Sequence, residues 1–151
     1  MSQYLRNKEI RELNNKIREE FGIKEIIDKK DKVEIREDKF IFVNNKILFF
    51  YYEDKLVPTL NLILKNNFLK KITVDMGAVK FVADGANIMR PGITNVQDGI
   101  KKGELVVIID ENNKKPLAIG ITKYSGEKIG EMDSGNVVEN IHYVGDRIWN
   151  K

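Results

Sequence analysis

The sequence predicts an α+β protein built from two small units. Three observations carry that reading: an amphipathic helical pattern near the N-terminus, short β-like runs punctuated by turn residues, and a change of texture near residue 72. Beyond that point fall 10 of the 11 glycines. A length of 151 residues suits one medium domain or two small ones. The expected boundary is at Lys70-Lys71, giving a first unit over 1–71 and a second over 72–151.

In the first unit, Ile10, Leu13, Ile17 and Phe21 recur at three- and four-residue spacing. This predicts a helix over 2–21 that ends at Gly22. The runs VEI (33–35), KFIFV (39–43) and KILFFYY (46–52) read as strands. Asn44-Asn45 is hairpin chemistry, because Asn tolerates positive φ. VPTLNLILKNNFL then predicts a second helix with Pro58 in its first turn and Leu60, Ile63 and Leu64 on one side.

In the second unit, LVVIID (105–110) and PLAIGITKY (116–124) are the plainest strands, joined by the polar loop ENNKK. NIHYVGDRIW reads as one or two more, bent at Gly145-Asp146. GAVKFVAD predicts a helix of about two turns ending at Gly85, with a strand from Asn87. Turns are expected at Asp98-Gly99, Ser125-Gly126 and Ser134-Gly135. Several short strands at close intervals argue for a small β-barrel.

Composition narrows the function. The 42% apolar fraction supports an ordinary core and the 32% charged fraction a well-solvated surface. No run approaches a membrane span, and the N-terminus lacks the apolar stretch of a secretory signal. Zero cysteines remove disulfides, zinc-thiolate sites and cysteine nucleophiles. A cytoplasmic protein is the expectation, with no membrane partner. The net charge of +3 is uneven, with 16 Lys and Arg against 12 Asp and Glu over residues 1–71 but 10 against 11 beyond. A basic balance suggests nucleic acid, though scattered Lys also simply solvates a surface.

The stretch VDMGAVKFVADGANIMRPGI (74–93) raises a nucleotide-loop reading that fails in detail. GANIMRPG lacks the Lys-Ser/Thr pair of a P-loop, and Gly77 and Gly85 are too far apart for a dinucleotide fingerprint. His142 is the only histidine, with no cysteine to pair with it. Asp75 and Asp84 fit capping and turn roles better than an acid/base pair. No metal-ligand cluster is visible, so neither cofactor nor enzymatic activity is expected. Two uses remain for the glycines. Gly85 caps a helix and Pro91-Gly92 ends a strand; or the bare loop offers its N–H and C=O groups to a single-stranded RNA.

At these residues the chain resembles a known family. VDMGAVKFVADGANIMRPGIT is similar to the opening helix and second strand of PUA domains, an RNA-binding module. FFYYEDKLVPTLNLILKNNFL and VVENIHYVGDRIW resemble the malignant-T-cell-amplified-sequence family of translation factors, in which a pre-PUA domain precedes a PUA domain. The resemblance implies a mixed-strand pseudo-barrel in the second half. It also implies RNA binding near the acceptor end of tRNA on the small ribosomal subunit, with no catalysis. A protein partner in translation is implied too, since animal relatives work with a second protein; the alternative is an RNA-binding accessory of a tRNA- or rRNA-modifying enzyme. The implied RNA face comprises Lys80, Gly85, Ala86, Asn87, Met89 and Arg90, with Lys123, Tyr124, Ser125, His142, Tyr143 and Arg147 nearby. Lys80 and Arg90 would contact phosphates, Asn87 and the loop backbone would read base or sugar groups, and Tyr or His would stack an unpaired base.

Overall fold

The computed structural model describes residues 2–151. It divides into one unit that runs to Phe68 and includes Lys151, and another spanning Leu69–Asn150. The division precedes the expected boundary by three residues. Lys70-Lys71, taken as the border in the sequence, opens a strand, Lys70–Val74, inside the second unit.

In the first unit, β1 (Ser2–Tyr4) precedes α1 (Asn7–Phe21). The helix therefore starts five residues later than its apolar pattern suggested. Ser2–Tyr4 pairs antiparallel with β2 (Val33–Arg36), and Arg6 ends the extended run, its amide donating to the Glu9 carboxylate at 3.0 Å. Gly22 closes the helix in the left-handed region, at φ 72°. Next come β3 (Phe40–Val43), β4 (Lys46–Tyr52) and β5 (Lys55–Pro58), all antiparallel in a sheet ordered β1-β2-β3-β4-β5. Three two-residue turns join them, each with both residues at positive φ: Glu37-Asp38, Asn44-Asn45 and Glu53-Asp54. Ile10, Leu13 and Ile17 of α1 pack on Val33, Ile41, Val43 and Phe49 of the sheet.

Pro58 corrects the second expected helix. It ends β5, an edge strand where a missing N–H costs no ladder bond. Thr59 then caps α2 (Leu60–Lys65): its hydroxyl accepts from the Leu62 amide at 3.4 Å and donates to the Ile47 carbonyl at 3.0 Å. The buried face is Leu60, Leu62 and Ile63, while Leu64 is exposed.

The second unit is a nearly closed barrel of six strands: β6 (Lys70–Val74), β7 (Ile88–Met89), β8 (Ile93–Val96), β9 (Leu105–Asp110), β10 (Pro116–Thr122) and β11 (Asn136–Tyr143). Their order is β7-β11-β10-β9-β6-β8, with β6 and β9 parallel and every other pair antiparallel. Ile72, Val106, Ile108, Ala118 and Val138 fill the core. Gly120 sits at a register shift between β10 and β11, where a Cβ would lie 2.5 Å from Val138 Cγ1 and 2.8 Å from the Glu139 carbonyl. Two helices complete the unit: α3 (Met76–Ala83) and α4 (Gly126–Glu131). The expected turn at Ser125-Gly126 is therefore the start of a helix. No helix among the described residues is long and apolar enough to cross a membrane.

Candidate nucleic-acid interface

The site grows from the segment 75–93. Asp75 begins α3 because its carboxylate accepts from the Ala78 amide at 2.8 Å. The helix ends in a Schellman motif: Gly85 N–H donates to the Val82 carbonyl and Ala86 N–H to that of Phe81, both at 3.0 Å. Gly85 lies at φ 93°, and a Cβ there would come within 2.7 Å of the Tyr143 ring. Glycine is required twice over, by the backbone angle and by that ring.

Asn140 of β11 fastens the loop that follows. Its amide nitrogen donates to the Val82 and Ala86 carbonyls at 3.2 and 3.0 Å, and its own N–H donates to Asn87 Oδ1 at 2.9 Å. The chain then runs into β7, where Met89 pairs with Asn136 and Ile88 with Val138. A single 3-10 turn, Arg90–Gly92, brings it back beside α3. A Cβ on Gly92 would meet that of Ala78 at 2.9 Å, so the turn approaches the helix closely.

Between α3 and this return lies an open groove of about 670 Å³. Val82 and Ile88 are buried at its base, while Phe81 (58% exposed) and Met89 (50%) stand out at its margins with Pro91. Asp75, Asn87 and Asn136 supply polar groups along the lining, and the Asn136 side-chain oxygen is buried without a hydrogen-bond partner. An apolar trough with a few convergent polar groups suits a flat ring with polar edges. Lys80 Nζ lies 5.9 Å from the Phe81 ring centroid, a cation beside the same trough. Among the described residues no three His, Asp or Glu side chains come together to hold a metal ion.

The structure divides the residues expected at an RNA face. Ala86, Asn87 and Met89 line the groove; Lys80 stands beside it on α3, and Gly85 lies against Tyr143. Arg90 does not reach out to phosphate. Its Nε donates to the Ile129 carbonyl at 2.6 Å and its Nη1 to that of Ile93 at 3.2 Å, tying the turn to α4 and β8. His142 cannot stack a base, being fully buried with Nδ1 2.8 Å from Asp146 Oδ2. Burial pushes the Asp146 carboxyl up, but the His142 hydrogen bond and the Trp149 and Tyr143 amides outweigh it, holding the group below the usual carboxylate range. Ser125 is committed as the cap of α4, accepting from the Lys128 amide at 3.1 Å. Lys123 and Tyr124 are exposed in the bend after β10, and Arg147 is exposed in the C-terminal turn.

Sequence reasoning missed Phe81, Pro91 and Asn136. A signal for Phe81 was present, because α3 has Lys80 as its single charged residue, so apolar side chains extend beyond the one face a short helix buries.

Comparisons with known proteins agree with this architecture. The PUA domain model matches residues 70–144, and a domain of unknown function, DUF1947, matches residues 3–66. Translation machinery-associated protein 20 of Saccharomyces cerevisiae is 40% identical over 139 residues, which cover 85% of this chain and 77% of that protein. Malignant T-cell-amplified sequence 1 of Rattus norvegicus is 36% identical over 159 residues, 96% of this chain and 87% of that one. The crystal structure of a hypothetical protein from Pyrococcus horikoshii superposes with a TM-score of 0.82 at 32% identity, covering 99% of this chain and 98% of the other. A chain of the archaeal box H/ACA sRNP Nop10–Cbf5 complex matches at a TM-score of 0.52 and 31% identity, over 64% of this chain and 30% of its own length. With a DUF1947 domain leading into a PUA domain, the chain belongs to the family that includes translation machinery-associated protein 20 and malignant T-cell-amplified sequence 1.

Proposed function

We propose that this protein binds RNA in translation, without catalysis, and that the groove between α3 and the Arg90–Gly92 turn holds an unpaired nucleotide. The acceptor end of tRNA, presented on the small ribosomal subunit, is the target this reading favours. The observation that carries it is the groove: it is open, its margins expose Phe81 and Met89, and the Gly85 loop beside it is held in place by Asn140. An unpaired base stacks on such apolar and aromatic surfaces without regard to net charge. That fits a second unit whose charges nearly balance. Asn87, through its Nδ2, is the group to read the base edge, and Lys80 the one to meet a phosphate. The name of translation machinery-associated protein 20 supports the setting.

The test is binding of labelled tRNA, and of purified small subunits, by the full chain. Phe81→Ala is expected to weaken tRNA binding roughly tenfold, in line with ~1–3 kcal/mol per stacked base. Removing the single-stranded end of the tRNA should produce a similar loss in the wild type and none in the variant. Wild-type affinity for tRNA lacking that end would refute the assignment.

A second reading, an RNA-binding accessory of a modifying enzyme, draws support from the likeness to part of the box H/ACA complex. Retention of the protein by a modification enzyme, and not by ribosomes, would favour it.

A further inference from the structure

The groove leaves unexplained a group of lysines on neighbouring loops of the second unit. The segment 97–104 is stitched onto the end of β10. Gly103 N–H donates to the Thr122 carbonyl at 2.8 Å, Thr122 Oγ1 donates to the Lys101 carbonyl at 2.7 Å, and Gly126 N–H donates to the Ile100 carbonyl at 2.8 Å. These bonds set Lys101 and Lys102 beside Lys123, all exposed, with Tyr124 exposed next in the chain.

The carboxylate among them is already engaged. Glu104 accepts from the Lys101 amide at 2.9 Å and pairs with Lys70 Nζ at 3.0 Å. Lys101, Lys102 and Lys123 have no ion pair among the described residues. With Lys128 they are four exposed lysines, against three exposed acids in the same segments, Asp98, Glu127 and Glu131. This patch adjoins the strand that borders the groove: Lys123 N–H donates to the Val137 carbonyl at 2.9 Å, and Asn136, the residue before, lines the groove and pairs with Met89.

We propose that Lys101, Lys102 and Lys123, with Tyr124, form a second contact surface that takes the sugar-phosphate backbone of the RNA leading away from the groove. The proposal rests on the RNA-binding reading above and gives it a direction: the unpaired nucleotide sits by α3 and the strand attached to it passes across the end of β10. Unpaired lysines beside an exposed aromatic ring suit a phosphodiester chain, whose charges they neutralise without selecting a sequence.

The experiment uses a fluorescent RNA hairpin with a short single-stranded 3′ tail, titrated with the full chain at a series of KCl concentrations. Each lost phosphate contact lowers the slope of log K against log salt by ~0.7 to 0.9. The triple variant Lys101→Gln/Lys102→Gln/Lys123→Gln is expected to lose about 2 from the slope. Lys114→Gln/Lys115→Gln, at the opposite end of β9 and β10, should keep the wild-type slope. Phe81→Ala should weaken binding with the slope unchanged.

A triple variant with the wild-type slope, its thermal unfolding also unaltered, overturns the proposal and leaves these lysines to a protein partner. Equal slope losses in both lysine variants overturn it too, by making the attraction diffuse. A lowered slope in the triple variant alone supports it even if Phe81→Ala binds normally, in which case only the groove assignment falls. If the wild type shows no salt-dependent RNA binding, the functional reading fails and takes this inference with it.

Discussion

The two units build their sheets by opposite routes. In the first, five strands lie side by side in the order in which they occur, and three of the four contacts are closed by two-residue turns. In the second, β9 and β10 form a hairpin, but other neighbours in space are far apart in sequence: Val74 pairs with Asp110, and Ile88 with Val138. The first route is local from β2 to β5, where tight turns join successive strands. The second needs long connections, and one of them, from β6 through α3 to β7, encloses the groove. A meander offers little room for a site between its strands, whereas a crossover supplies a segment that can be shaped. Chain entropy adds a further contrast, since distant pairings carry the larger cost of loop closure.

That contrast is open to direct attack. The largest effect is expected from Gly120→Val, which forces a side chain into Val138 and the Glu139 carbonyl. A loss of about 3 kcal/mol or more is expected for the second unit. Trp149, the sole tryptophan, reports on that unit by fluorescence, and amide exchange reports on the first. Equal loss of exchange protection in the first unit would mean that the two do not unfold separately.

Asp146→Ala comes next. It removes the Asp146 contact of the buried His142 Nδ1 and the acceptor for the Tyr143 and Trp149 amides. Denaturant titration should show a loss of about 2–3 kcal/mol. The Asp146 carboxyl is held low in the folded state, so its contribution is complete above the unfolded carboxylate range and fades as pH falls through the folded value. Wild type and variant should therefore converge in stability at strongly acid pH; a constant gap down to pH 2 would contradict the role given to this carboxylate. The smallest effect is expected in the meander. Asp54→Gly, at φ 67°, should stabilise the first unit by about 0.5–1 kcal/mol and leave the Trp149 transition unmoved.

The same contrast explains what was legible in the sequence. β9 matches its expected range residue for residue, since LVVII is an apolar run that closes on Asp110 at a polar turn. The hairpin at Asn44-Asn45 was readable because Asn tolerates positive φ. Its equivalents at Glu37-Asp38 and Glu53-Asp54 were not, because Glu gives no such signal. β1 escaped because a three-residue exposed strand has no periodicity, and β6 because Lys70 and Lys71 mask the start of a buried parallel strand. At the groove, Gly85 and Asn87 carried information through backbone chemistry. Arg90, His142 and Ser125 misled because their partners, the Ile129 carbonyl, Asp146 and the Lys128 amide, are set by tertiary placement or by an unrecognised cap.

Asn140 ties two segments together with a single side chain. One side chain grips the end of a helix and the loop beyond it, so the cleft next to them keeps its outline whether or not anything lies in it. A visitor finds its berth already cut, and recognition then depends on whether the visitor's own end is free to enter. On the proposed reading, strands with frayed or unpaired ends would be admitted, and the same letters locked into a duplex turned away.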